Sequence, residues 1–139
     1  SLNAKFNAAN EKFQFKQPSF LDNKINLMKN NLFIGQIKIK LFSKSCLNLK
    51  SGKTYFLSSN GIGRNLKWID SDGVSIVEYS MATLKSKGKG SIKIKNLLTK
   101  QDQELLISAG LIAGRLKGYR LGILIFLLAF SLATIIKLI

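Results

Sequence analysis

Between residues 11 and 96 apolar and polar side chains repeatedly alternate with period two, the signature of half-buried strands. The runs are Phe13-Gln14-Phe15-Lys16, Ile25-Asn26-Leu27, Leu32 to Ile37, Ile37-Lys38-Ile39-Lys40-Leu41, Leu47-Asn48-Leu49-Lys50, Asn65 to Ile69, Val74 to Tyr79 and Ile92-Lys93-Ile94-Lys95. Polar and glycine-bearing turns separate them, among them Lys29-Asn30-Asn31, Ser51-Gly52-Lys53, Asp70-Ser71-Asp72-Gly73 and Lys87-Gly88-Lys89-Gly90. About eight short antiparallel strands at roughly ten-residue spacing predict a mainly β domain, a meander left open or closed into a barrel, followed by a long hydrophobic C-terminal helix. The stretch from Asn23 resembles the stretch from Asn65 at an offset of 41 to 42 residues, as a duplicated unit would.

After Leu98 the period changes. Thr99 is placed to cap a helix whose first turns carry Asp102 and Glu104, where the helix dipole favours acids. Gly110, Gly114, Gly118 and Gly122 then recur every four residues, a ladder of small residues that lets another backbone approach closely. The partner is another helix in the membrane, or the protein's own sheet. From Leu121 to Ile136 the chain runs sixteen residues without a charge, eleven of them Leu, Ile or Phe. Those eleven contribute on the order of −3 to −7 kcal/mol toward insertion into a bilayer. With Lys137 to Ile139 the segment reaches nineteen residues, about 28 Å of helix against ~30 Å of hydrocarbon. The expected division is a flexible segment 1–10, a basic β-domain 11–98, an amphipathic glycine-ladder helix 99–120 and a transmembrane tail anchor 121–139. A helix buried all round by protein is the alternative for that last segment.

Charge adds direction. Lys and Arg total 22 against 7 Asp and Glu, a net charge of +15, which points to an anionic partner. Arg115, Lys117 and Arg120 flank the apolar segment on its N-terminal side and only Lys137 lies beyond its centre, so positive-inside bias keeps residues 1–120 cytoplasmic. The first apolar residues, Phe6, Phe13, Phe15 and Phe20, are too scattered to form a secretory signal, and export is not expected. Lys38, Lys40, Lys93 and Lys95 alternate with Ile on strand faces, and Lys85, Lys87 and Lys89 fall in an adjoining loop. These seven lysines are the candidate surface for anionic lipid, each contributing ~1 kcal/mol of attraction near an acidic leaflet. Nucleic acid is the weaker match, because Lys outnumbers Arg 19 to 3 and Phe33, Phe42, Phe56 and Trp68 fall in core phases, leaving base stacking poorly supplied.

The chain carries no His and one Cys, so imidazole catalysis, His-ligated metals, disulfides and multi-cysteine metal sites are excluded. Gly52-Lys53-Thr54 ends like a phosphate-binding loop, but Leu47 stands where that motif needs its first Gly. Gly61-Ile62-Gly63 lacks the third Gly of a dinucleotide fingerprint, since Leu66 is there, and Ser86 to Lys89 matches S-x-x-K only in a lysine-rich loop. Asp70 and Asp72 read as turn formers, and Cys46 as a small core residue. No catalytic residue, metal or cofactor is expected, and the protein is not expected to be an enzyme.

The layout of Leu32 to Lys44 and Val74 to Lys87, followed by the apolar run Leu105 to Ile136, resembles small bacterial members of the tubby-like, LURP-one and scramblase-like group. That resemblance implies a closed β-barrel around a hydrophobic helix, with binding of membrane phospholipids. The sequence departs from the group in having fewer strands, in its glycine ladder and in its basic cluster Arg115 to Arg120.

Three functional expectations follow. The first is a non-enzymatic, tail-anchored membrane protein whose basic β-domain contacts an anionic membrane or acidic partner. The second is an accessory subunit of a larger membrane complex, docked through the ladder. The third is a soluble tubby-like barrel with the helix inside, binding lipid or nucleic acid.

Overall fold

The computed structural model describes residues 3–8, 10–19, 21–60, 65–80, 90–94 and 98–138. Among these, the chain forms β1 (Asn3–Ala8), β2 (Glu11–Lys16), β3 (Lys24–Lys29), β4 (Leu32–Lys38), β5 (Ser45–Leu49), β6 (Thr54–Asn60), β7 (Asn65–Ile69), β8 (Ser75–Ser80), β9 (Ser91–Ile94) and one helix, α1 (Lys100–Leu138). Each strand pairs antiparallel with the next, giving one sheet in sequence order from β1 to β9. The fold is mainly β with a long C-terminal helix. Among the described residues β1 and β9 do not pair, and the sheet is open.

Two strands depart from the sequence expectation. Asn3–Ala8 is not a flexible segment: Ala4 and Phe6 alternate with Asn3, Lys5 and Asn7, and Phe6 lies opposite Phe13 with its ring 5.0 Å from it. Thr54–Asn60 escaped notice because Phe56, on the outer side of the strand, interrupts the alternation of the buried Tyr55 and Leu57. The helix runs without a break from Lys100 to Leu138, through the glycine ladder and the apolar segment.

Turn chemistry sets the pairing. Asn30 and Asn31 both adopt positive φ (49° and 66°), as a two-residue hairpin turn requires, and join β3 to β4 in register at Lys29 and Leu32. The β3–β4 and β7–β8 hairpins carry matching irregularities. The register slips between Leu27 and Met28 in one and between Trp68 and Ile69 in the other, leaving Ile34 and Ile76 as the extra residues. These positions share the 41 to 42 residue offset seen in the sequence.

The sheet curves so that α1 touches β1 on one side and β7 and β8 on the other. One face supplies the fully buried Phe15, Ile25, Leu27, Ile37, Leu47, Trp68 and Val77, and α1 supplies Leu105, Leu106, Ala109 and Ala113. Those four helix residues fall on one face at 3.6-residue spacing. Thr99 begins the helix as expected, its Oγ1 accepting from the Asp102 N–H at 3.2 Å.

Candidate functional site

The seat of the helix is polar at its centre. Trp68 Nε1 donates to the Leu106 carbonyl at 2.8 Å, and the Tyr79 hydroxyl donates to the same oxygen at 2.6 Å. Both rings lie against Gly110, one turn beyond that carbonyl. A Cβ at 110 would come within 2.6 Å of Tyr79 Cζ and 2.8 Å of Trp68 Nε1, and closer still to the tyrosine oxygen. Glycine here opens the carbonyl to two buried donors. Gly114 serves the same approach one turn on, where a Cβ would overlap the Leu66 methyl. Gly118 and Gly122 differ: a Cβ at either meets no atom within 4 Å.

In a meander every second turn lies at the same end of the sheet. The helix starts near the end that holds the β1–β2 turn, where Gln101 donates to Glu11, and it leaves past the end that holds the β2–β3 and β4–β5 turns. At this exit the helix is tied to both turns. Lys117 Nζ donates to the Ser43 carbonyl at 3.0 Å, and the Arg120 guanidinium donates to the Asp22 carbonyl. Burial holds the Lys117 ammonium below its ordinary pKa. The turns are braced in their own right. Buried Gln17 donates to the Asp22 carbonyl at 2.7 Å, and Ser45 Oγ accepts from the Lys40 N–H at 3.0 Å. A cavity of about 360 Å³ separates the β4–β5 turn from the helix, lined by Phe42, Ser43, Leu66, Gly114, Lys117 and Gly118 among others.

The two ends of the sheet differ in charge. Among the described residues, Lys16, Lys24, Lys38, Lys40 and Lys44 of the sheet and Lys117 and Arg120 of the helix stand at the exit end with one acid, Asp22, a surplus of six positive charges. At the other end Lys12, Lys29, Lys50, Lys53 and Lys100 are balanced by Glu11, Asp70, Asp72, Asp102 and Glu104. Asp70 and Asp72 belong to the β7–β8 turn, where Asp70 Oδ1 accepts from the Asp72 and Val74 N–H groups, so their role is local.

Beyond Arg120 the helix is long and apolar enough to cross a membrane, and none of its eighteen-residue apolar window is buried against the protein. The two hydroxyls in this stretch are internally satisfied: Ser131 Oγ donates to the Leu127 carbonyl at 2.9 Å and Thr134 Oγ1 to the Phe130 carbonyl at 3.0 Å. What the sheet encloses is the earlier stretch around Leu106, so the expectation of residues 121–136 as a plug inside a barrel does not describe this arrangement.

Compared with protein-family models, with curated proteins and with solved structures, the chain finds no match in any of the three.

The lysines singled out in the sequence do not form one face. Lys38 and Lys40 are exposed at the exit end, with Lys38 opposite Lys24. Lys93 is exposed on β9 opposite Glu78, five strands away, on the order of 24 Å along the sheet. Lys85, Lys87, Lys89 and Lys95 lie outside the described residues. Of the flanking cations, Lys117 and Arg120 hold the exit turns and Arg115 is exposed below them. Three aromatic assignments are corrected: Phe33 and Phe42 are exposed rather than core, because β4 turns Phe33 outward and ends at Lys38, before the alternation does, and Phe56 lies on the outer side of β6 between the buried Tyr55 and Leu57. Phe33 and Phe42 stand at opposite ends of the sheet and offer no continuous stacking platform. Sequence reasoning passed over Lys16, Lys24, Lys44 and Leu21, and placed Phe42 in the core. Grouping them requires knowing which turns share an end.

Proposed function

We propose that this is a non-enzymatic membrane protein with a single membrane-spanning helix, whose β-domain lies on the cytoplasmic side against an anionic leaflet. The observation that carries the reading is the path of α1. It passes without a break from the sheet's core, past the basic end, into an apolar stretch of which no described residue is buried. An apolar surface of that size exposed to water is a liability that lipid removes, and cations at the exit suit the acidic cytoplasmic face. The hydroxyls of Ser131 and Thr134, already bonded to the helix backbone, cost little to bury in hydrocarbon. In cells, the full chain is expected to stay in the membrane pellet through an alkaline carbonate wash. Release into the soluble fraction would overturn the reading in favour of a soluble protein.

A second reading, an accessory subunit docked to an integral-membrane partner, is favoured by one observation: the open helix surface at Gly118 and Gly122.

A further inference from the structure

Among the described residues of the sheet domain, Leu21 and Phe42 are the two most exposed large apolar side chains, at 88% and 84%. Both sit at the exit end, in the β2–β3 and β4–β5 turns, the same two turns that Arg120 and Lys117 fasten to the helix immediately before its charge-free segment begins. Neither residue projects from a slack loop, since Gln17, Asp22, Lys40 and Ser45 brace the turns that carry them. Three apolar elements therefore leave the domain at one level: the helix from Leu121, the Leu21 side chain and the Phe42 side chain. Around them stands the six-charge surplus, whereas the opposite end is neutral. Leu32, Phe33 and Val74 are exposed at the neutral end, but only at the exit end do exposed apolar side chains coincide with the charge surplus and the start of the apolar helix segment.

We infer that the exit end is a membrane-docking surface, with Leu21 and Phe42 seated in the headgroup region of an anionic leaflet and the surrounding lysines against lipid phosphates. The inference rests on the membrane-spanning reading and deepens it. It also sets the domain's posture: the strands meet the bilayer end-on, through two turns, and the sheet face does not lie flat upon it. Lys93, across from Glu78 on the β9 edge, is not among these cations. Side chains seated in this way reach about 5–10 Å into the boundary between headgroups and acyl chains. Each nearby cation adds to the attraction as long as acidic lipid is present and salt is moderate.

The test uses the full chain in vesicles, in a Cys46→Ser background, with an environment-sensitive dye on single cysteines introduced by Leu21→Cys, Phe42→Cys, Leu32→Cys or Phe126→Cys. Leu32 is the control, 70% exposed but at the neutral end of the sheet. In phosphatidylcholine vesicles containing phosphatidylglycerol, dyes at 21 and 42 are expected to shift to the blue and to be quenched by lipids labelled near the headgroup. The dye at 32 is expected to remain in water, and the dye at 126 to be quenched by deeply labelled lipids. If 21 and 42 behave like 32 while 126 is quenched, the helix spans the membrane and the docking surface is wrong. If 126 is not quenched, the spanning reading fails and the inference falls with it. Equal quenching at 21 and 42 in phosphatidylcholine alone would overturn the assignment to acidic lipid.

Discussion

The two halves of α1 use the same residue type for opposite ends. In the first half, Gly110 and Gly114 are tight against Trp68, Tyr79 and Leu66, and the helix face around them is buried. Farther along, Gly118 and Gly122 face open space and, among the described residues, every large apolar side chain beyond Leu124 is exposed. A repeat that looks uniform in sequence is thus two devices, one that seats the helix on its own sheet and one that leaves a smooth surface above it. The largest effect that divides them is expected at Gly110. Gly110→Ala forces a methyl into two buried, hydrogen-bonded rings. Overpacking of this kind costs about 1–3 kcal/mol, against ~1 kcal/mol gained from better helix propensity, for a net loss of up to about 2 kcal/mol. Denaturant unfolding in mild detergent measures it, and a red shift of Trp68, the single tryptophan, reports the loosened seat. Gly114→Ala meets only the movable end of Leu66 and is expected to lose less. Equal losses at 110 and 114 would break the distinction between a polar seat and an apolar contact.

A smaller effect tests the polar part of that seat. Tyr79→Phe removes one of two side-chain donors to the Leu106 carbonyl and leaves Trp68 in place, which is worth about 1 kcal/mol. It also changes the response to alkali. Burial raises the Tyr79 hydroxyl above its ordinary pKa, with the Trp68 side chain pulling weakly the other way. The unfolded chain therefore loses this proton near pH 10 while the folded chain keeps it. The contribution is fully present below pH 10 and declines above it by as much as about 1.4 kcal/mol per pH unit. The wild-type advantage over Tyr79→Phe is expected to hold between pH 8 and 9.5 and to close near pH 11. Parallel curves over that range would place the hydroxyl in water, not against the helix.

Much of the architecture was legible because it rests on local rules. Ile25, Leu27, Ile37 and Leu47 alternate with polar residues and are buried, and Thr99 with Asp102 marked the helix start. What eluded the sequence depends on counting strands. In a meander, one unrecognised strand reverses the end to which every later turn belongs, and β6 hid behind Phe56 on its outer side. Lys24, Lys38, Lys44, Lys117 and Arg120 are up to 96 residues apart in the chain, and only the register of β3, β4 and β5 brings them to one end. Lys93 shows the converse, since alternation placed it on a polar face but could not reveal Glu78 opposite. The pairing of Trp68 and Tyr79 on one helix carbonyl was likewise hidden, because period-two burial makes every inward aromatic look alike.

The smallest expected effect carries the opposite sign and decides what the upper glycines do. With no atom within 4 Å of a Cβ at either position, Gly118→Ala and Gly122→Ala have nothing of their own chain to strike. Each relieves the entropic cost of glycine in a helix interior, up to about 1 kcal/mol. In the purified chain both variants are expected to unfold at slightly higher denaturant, in contrast to Gly110→Ala. If a second copy covers this surface instead, wild-type stability rises with chain concentration and either alanine variant loses stability, which would overturn the expectation. The bulkier pair Gly118→Leu and Gly122→Leu carries the comparison into the membrane. If the open stretch receives a partner helix, leucine at both positions removes close approach, and co-purification with that partner is lost while carbonate-resistant insertion is retained. Unchanged assembly would assign the upper glycines to a lipid-facing helix with no docking role, leaving Gly110 and Gly114 as the part of the ladder that the fold requires.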